Sequence, residues 1–167
     1  MFQSAKQNKL SPIIFSIYLL LLAWLVLFKF ATNLSEIPHI RSINLIPFYY
    51  SLTTSTQIKE TLYNILIFVP FGVYVQIFRE DWNPATKCAA FLLTSFLFEA
   101  FQFLFAIGVS DITDIIGNTV GGIAGILLCV TMKKIMPGKY VSVINAVGII
   151  VEITAIGLLS LLLAANQ

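Results

Sequence analysis

Apolar residues come in long runs along this chain, and polar residues gather in the breaks between them. A helix needs roughly 20 mostly apolar residues to cross the hydrocarbon core of a bilayer. Five segments meet that requirement, over about residues 12–31, 60–78, 85–106, 111–132 and 140–164. Pro12 suits the start of the first, where its missing N–H costs nothing. The second contains Pro70 and Gly72 and ends at the turn Arg79-Glu80-Asp81-Trp82-Asn83-Pro84. A proline inside a helix is expected to kink it, which membrane helices tolerate when neighbours satisfy the freed carbonyl. A short break at Gly108-Val109-Ser110 separates the third and fourth helices, and a basic turn with Pro137-Gly138 separates the fourth and fifth. The connection over residues 32–59 holds Ile43, Leu45, Ile46, Phe48, Tyr49 and Tyr50, too apolar for a solvated loop. The pattern predicts an all-α integral membrane bundle, one domain over residues 1–167, with a partly buried first connection.

Composition agrees. The chain is 58% hydrophobic and 11% charged, against about 25% charged residues in a soluble domain. A net charge of +2 gives no reason to expect a nucleic-acid partner. Cys88 and Cys129 form no CxxC and have no histidine nearby, which excludes the usual zinc spacings. His39 is the single histidine and lacks a nucleophile partner, which argues against a hydrolase triad. Lys6 and Lys9 precede an apolar run that is long for a signal-peptide core and is followed by no small-x-small cleavage motif, so a retained first helix is expected.

The basic residues set an orientation. With the N-terminus in the cytoplasm, the inside segments hold Lys6, Lys9, Arg79, Lys87, Lys133, Lys134 and Lys139, and the outside holds only Lys29, Arg41 and Lys59. Seven against three obeys the positive-inside rule and predicts N-in and C-out. The polar residues then sort to the outer side. Arg41 and Asn44 lie in the first outside connection, Asn64 opens the second helix, Glu99 and Gln102 sit in the outer half of the third, and Asp111, Asp114 and Asn118 begin the fourth.

Glu99 is the most telling of them. A charged residue at a membrane-helix centre costs about 2.5–3.5 kcal/mol on insertion scales, so it is expected to face the bundle interior. Glu99 and Gln102 share a helix face, as do Asp111 and Asp114, Asp114 and Asn118, and Glu60 and Asn64. Glu99, Asp111 and Asp114 with amide oxygens can form the shell of a divalent cation such as Ca²⁺ or Mg²⁺. The same three are candidate acid–base catalysts. Arg41 can bridge two carboxylates or grip an anionic ligand with its planar fork of donors. Blander roles compete. Asp111 and Asp114 suit the cap of the fourth helix. Asn118 with Gly121, Gly122 and Gly125 suits a close-packed helix face. Asn64 can simply bond a neighbouring helix, and Glu152 is a second intramembrane acid with no partner named by the sequence.

The same residues carry a resemblance. Arg41-Ser-Ile-Asn44-Leu-Ile-Pro47-Phe48 resembles the R-x-x-N-L-x-P-F block of VanZ-like proteins, and Asn64-Ile-Leu-Ile-Phe68-Val-Pro70-Phe71-Gly72 resembles their second block. The third runs from Phe98-Glu99 through Gln102, Gly108, Asp111, Asp114 and Asn118 to Gly121-Gly122. The first helix, with Trp24-Leu-Val-Leu-Phe28-Lys29, is similar to that of the family's namesake. Many relatives carry an arginine shortly before the acidic turn. Here that stretch is Ala106–Ser110, which leaves Arg41 or Lys59 to supply a cation. The resemblance implies a multi-pass protein of the bacterial plasma membrane that lowers susceptibility to teicoplanin-type lipoglycopeptides. The expected partners are the bilayer and a lipoglycopeptide or envelope lipid. An enzyme acting on a lipid-linked envelope substrate is the alternative, and a transporter would need an oligomer.

Overall fold

The computed structural model describes residues 9–28, 39–49 and 55–165. The chain forms α1 (Leu10–Phe28), β1 (Ile40–Asn44), α2 (Ser55–Phe78), α3 (Pro84–Phe105), β2 (Ile107–Asp111), α4 (Ile112–Ile135) and α5 (Tyr140–Ala165). Among the described residues, five helices are long and apolar enough to cross a membrane, as the hydropathy pattern predicts. Their ends fall within a few residues of the expected ones, except that α2 starts earlier, at Ser55. Residues 29–31 of the expected first helix, and residues 32–38 and 50–54 of the connection after it, lie outside the described residues, as do Lys6, Lys29 and Tyr50.

Local chemistry explains the helix ends. Asn83 caps α3 by accepting the Thr86 N–H at 2.8 Å, with Pro84 in the first turn, where a proline loses nothing. The other end of α3 closes on Ala106, which takes a left-handed conformation (φ 54°) and donates its N–H to the last carbonyls of the helix. Asp111 caps α4. Pro70 lies inside α2, and in the turn before it the Tyr18 hydroxyl of α1 donates to the Ile67 carbonyl at 2.6 Å.

In lipid, apolar burial gives little drive for helices to associate, so close packing must supply it. Here α2 and α4 run parallel and meet along glycines. A Cβ added at Gly121 would lie 2.2 Å from the Ile65 carbonyl oxygen, and one at Gly125 would lie 2.1 Å from that of Val69. Gly72 returns the fit, its Cβ direction ending 1.9 Å from the Gly122 carbonyl oxygen. The packing reading of Gly121, Gly122 and Gly125 therefore holds. Antiparallel α3 lays Phe91 against Gly122 and joins Leu22, Val26, Phe68, Phe71 and Val75 in one core cluster. A second cluster, around Ile14, Val73, Tyr74, Ile77 and Cys129, closes the opposite end. There Ser11 and Tyr74 each hydrogen-bond Asn145, tying α1, α2 and α5. Side chains such as Leu20, Leu66, Leu127 and Ile153 point outward, as a bilayer solvent requires.

Two features depart from expectation. The break at Gly108 is a strand, and the first connection supplies its partner. β1 and β2 pair in parallel, from Ile40 opposite Ile107 to Asn44 opposite Asp111. Lys87, expected at a solvated helix end, is 5% exposed. Its ammonium donates to Gln76 Oε1 at 2.8 Å and to the Glu80 carbonyl at 3.3 Å. Glu80 in turn pairs its carboxylate with Lys133, joining the α2–α3 turn to the end of α4.

Candidate functional site

The strand pair and the adjoining helix ends carry most of the polar residues singled out by the sequence. Asp111 is the hub. Its Oδ1 accepts the Thr113 N–H at 2.7 Å, and its Oδ2 accepts the Asn44 amide at 3.0 Å. Its own N–H donates to Glu99 Oε2 at 2.8 Å. The capping role expected of Asp111 is thus observed, and one carboxylate also fastens β1 to the head of α4. Glu99 is 5% exposed and holds β2 twice, because Ser110 Oγ donates to its backbone carbonyl at 2.7 Å.

The loop after β1 is fixed by the same groups. Asn44 Oδ1 accepts the Ile46 N–H at 3.2 Å, and Thr113 Oγ1 accepts the Phe48 N–H at 3.0 Å. Phe48 adopts φ 59°, a conformation that is costly for an aromatic residue and is held by these contacts.

The other candidates separate from this hub. Asn64 donates to Asp114 Oδ1 at 2.6 Å and joins α2 to α4, the bland role weighed for it. Asn118 donates to Ser95 Oγ at 2.7 Å, and Gln102 donates to the Val26 carbonyl of α1 at 2.8 Å. Both are essentially fully buried, and neither Gln102 Oε1 nor Asn118 Oδ1 accepts a bond among the described residues. Arg41 is not the bridge between carboxylates that its guanidinium suggested. Its Nε and one terminal nitrogen donate to the Phe103 and Leu104 carbonyls at 3.1 and 3.0 Å, and the group stacks over the Phe103 ring. It neutralises the negative end of the α3 dipole. The reason is register: pairing of β1 with β2 sets Arg41 opposite Gly108, beside the last turn of α3.

Nor do the carboxylates assemble a cation shell. Among the described residues no three His, Cys, Asp or Glu side chains form a group that could hold a metal. Both oxygens of Asp111 already accept hydrogen bonds, and Asp114 is turned toward α2.

A cavity of about 350 Å³ opens beside the hub. Its surface is almost wholly apolar, with Phe96, Phe103 and Ile115 in the wall; Asn44, Glu99, Ser110 and Asp111 also line it, with their polar groups bonded among themselves. Ile43 and Leu45 stand exposed at its lip. Sequence reasoning missed Ser95, Thr113 and Phe103. Ser95 lies four residues before Glu99 on the same helix face, a spacing that points to it. Thr113 and Phe103 carry no comparable signal, because their roles depend on a loop and a strand brought in from far along the chain.

A family model described as VanZ/LLP1 matches residues 15–133. The chain is 41% identical over 144 residues to Protein VanZ of Enterococcus faecium, an alignment spanning 84% of this chain and 87% of that protein. No solved structure matches the chain.

Proposed function

This chain belongs to the VanZ/LLP1 family, and on that premise we propose that it is a bacterial plasma-membrane protein that lowers susceptibility to teicoplanin-type lipoglycopeptides. The cavity beside β1 and β2 binds the membrane-facing part of the antibiotic, or an envelope lipid it depends on. The observation that carries this reading is an apolar cavity backed by the buried hydrogen-bonded hub of Asn44, Glu99 and Asp111. Its apolar wall suits an acyl chain. The exposed Arg41 guanidinium nearby suits an anionic or peptidic head. The exposed lip residues Ile43 and Leu45, with exposed Ile46 next in the chain, suit a membrane–water boundary.

The antibiotic acts from outside the cell, so the reading requires the strand end to face outward. The excess of basic residues at the opposite end supports this, even with Lys87 buried. Ser42 is an exposed residue of β1. A Ser42→Cys variant is expected to react with a membrane-impermeant maleimide on intact cells, above the background of the native cysteines. Labelling that needs permeabilised cells would reverse the orientation.

The binding role is tested at Glu99. Glu99→Gln keeps the shape and an acceptor for the Asp111 N–H but removes the charge. The charge-assisted hydrogen bond from the Asp111 N–H is worth about 1.5–3 kcal/mol, so the variant is expected to loosen the cavity wall at β2 and to lose about tenfold or more of ligand affinity. Most of the teicoplanin protection, read as inhibitory concentration at matched membrane levels, should disappear with it. Full protection by Glu99→Gln would refute the cavity as the working site.

A further inference from the structure

A second cavity lies midway along the bundle, away from the strand end. It has a volume of about 360 Å³ and lies among α1, α2, α4 and α5. That falls within the roughly 300–1,000 Å³ range of small-molecule sites. Tyr18, Pro70, Val73, Tyr74 and Leu128 are among its lining residues, and Glu152 is the single charged one.

Glu152 is the anomaly. It sits near the middle of α5, about 18 Å along the helix from Tyr140 at about 1.5 Å per residue. It is 8% exposed, yet its carboxyl makes no hydrogen bond or ion pair with any described residue. The two hydroxyl donors among the lining residues are already committed. Tyr18 donates to the Ile67 carbonyl and Tyr74 to Asn145 Oδ1. No Lys, Arg or His lines the cavity. A carboxyl in such a medium is costly unless a partner meets it, and no described residue supplies one there. An apolar molecule with a cationic donor would meet that need.

We propose that this cavity is a binding site for a lipophilic amine, whose ammonium pairs with Glu152 while its apolar body fills the space between α5 and the α2–α4 pair. The occupant enters from the bilayer, because α5 is outward-facing along most of its length, with Val147 and Val151 at the cavity wall both more than half exposed. The site is separate from the cavity beside β1 and β2, so it stands or falls independently of the resistance reading.

Binding of decylamine, decanol and decanoate to the purified protein in nanodiscs tests the proposal, with empty nanodiscs as the reference for partitioning. Saturable decylamine binding, at least tenfold tighter than decanol, is expected, with decanoate weakest. Glu152→Gln should bring decylamine down to the level of decanol, and Val147→Trp should block both by filling the cavity. Equal affinity for amine and alcohol would show a neutral chain site and overturn the proposal. So would decylamine binding that is not saturable, or that persists unchanged in Glu152→Gln. Should Glu152→Gln fail to yield monodisperse protein, amine-over-alcohol selectivity in the native protein and its loss in Val147→Trp decide the matter.

Discussion

Alanine at Gly72, Gly121 or Gly125 is expected to destabilise the bundle severely, whereas alanine at Gly117 is expected to be tolerated. The difference is geometric. At the first three positions a Cβ would lie 1.9, 2.2 or 2.1 Å from a backbone carbonyl oxygen of the facing helix. Neither backbone can yield without pulling α2 and α4 apart along their whole contact. Overpacking of this kind typically costs about 1–3 kcal/mol, and more where backbone must move. At Gly117 the nearest atoms, on Asn64 and Thr61, stand at 3.5 Å, an ordinary contact. Alanine there also gains up to about 1 kcal/mol of helix propensity. Thermal midpoints of the detergent-purified variants check this. Similar midpoints for Gly117→Ala and Gly125→Ala would mean that the two helices do not pack through this seam.

Asp111→Ala should release the strand end while leaving the helices folded. It removes the α4 cap, worth about 0.5–2 kcal/mol. It also strips the buried Asn44 amide of its acceptor, at about 1–3 kcal/mol for an unsatisfied group. β1 then loses the side-chain tie that fixes its register against β2. Arg41 is exposed, so tryptic cleavage after it reports the loosening. Asp111→Ala is expected to be cut much faster than the native protein, with the helical circular-dichroism signal retained. Asp111→Asn should be intermediate, because its oxygen still caps Thr113 while its amide nitrogen faces a second donor on Asn44. Unchanged cleavage of Asp111→Ala would show that the hub does not hold β1. Loss of the hub should also reduce teicoplanin protection, since Asn44 and Asp111 both line the proposed working cavity.

The hub shows why the candidate residues were legible while their arrangement was not. A carboxylate in an apolar run is visible wherever it occurs, so Glu99 and Asp111 stand out at once. That they meet through a backbone N–H, and that Asn44 completes the set from 67 residues away, depends on a strand pairing with no sequence signature. A five-residue parallel strand carries too little periodicity to read, and its partner lies beyond two intervening helices. Arg41 is visible as one of few cations near the acids, and charge alone suggests a bridge. The register set it against the carbonyl end of α3 instead. Lys87 shows the converse: a topogenic lysine on composition, a buried donor once Gln76 and the Glu80 carbonyl are folded over it.

By itself the sequence determined five membrane-length helices, most of their ends, the glycine face of α4 and a part of the buried polar set, including Asn44, Glu99, Gln102, Asn118 and Glu152. Hydropathy, capping and helical spacing are local properties, settled within a few turns of chain. The tertiary structure alone decided the strand pair, the partner of each polar side chain, and the two cavities left where α3 meets the strands and where α5 stands off from α2 and α4. Those depend on contacts between distant segments, which are selected by shape and by the need to satisfy buried polar groups in a medium without water.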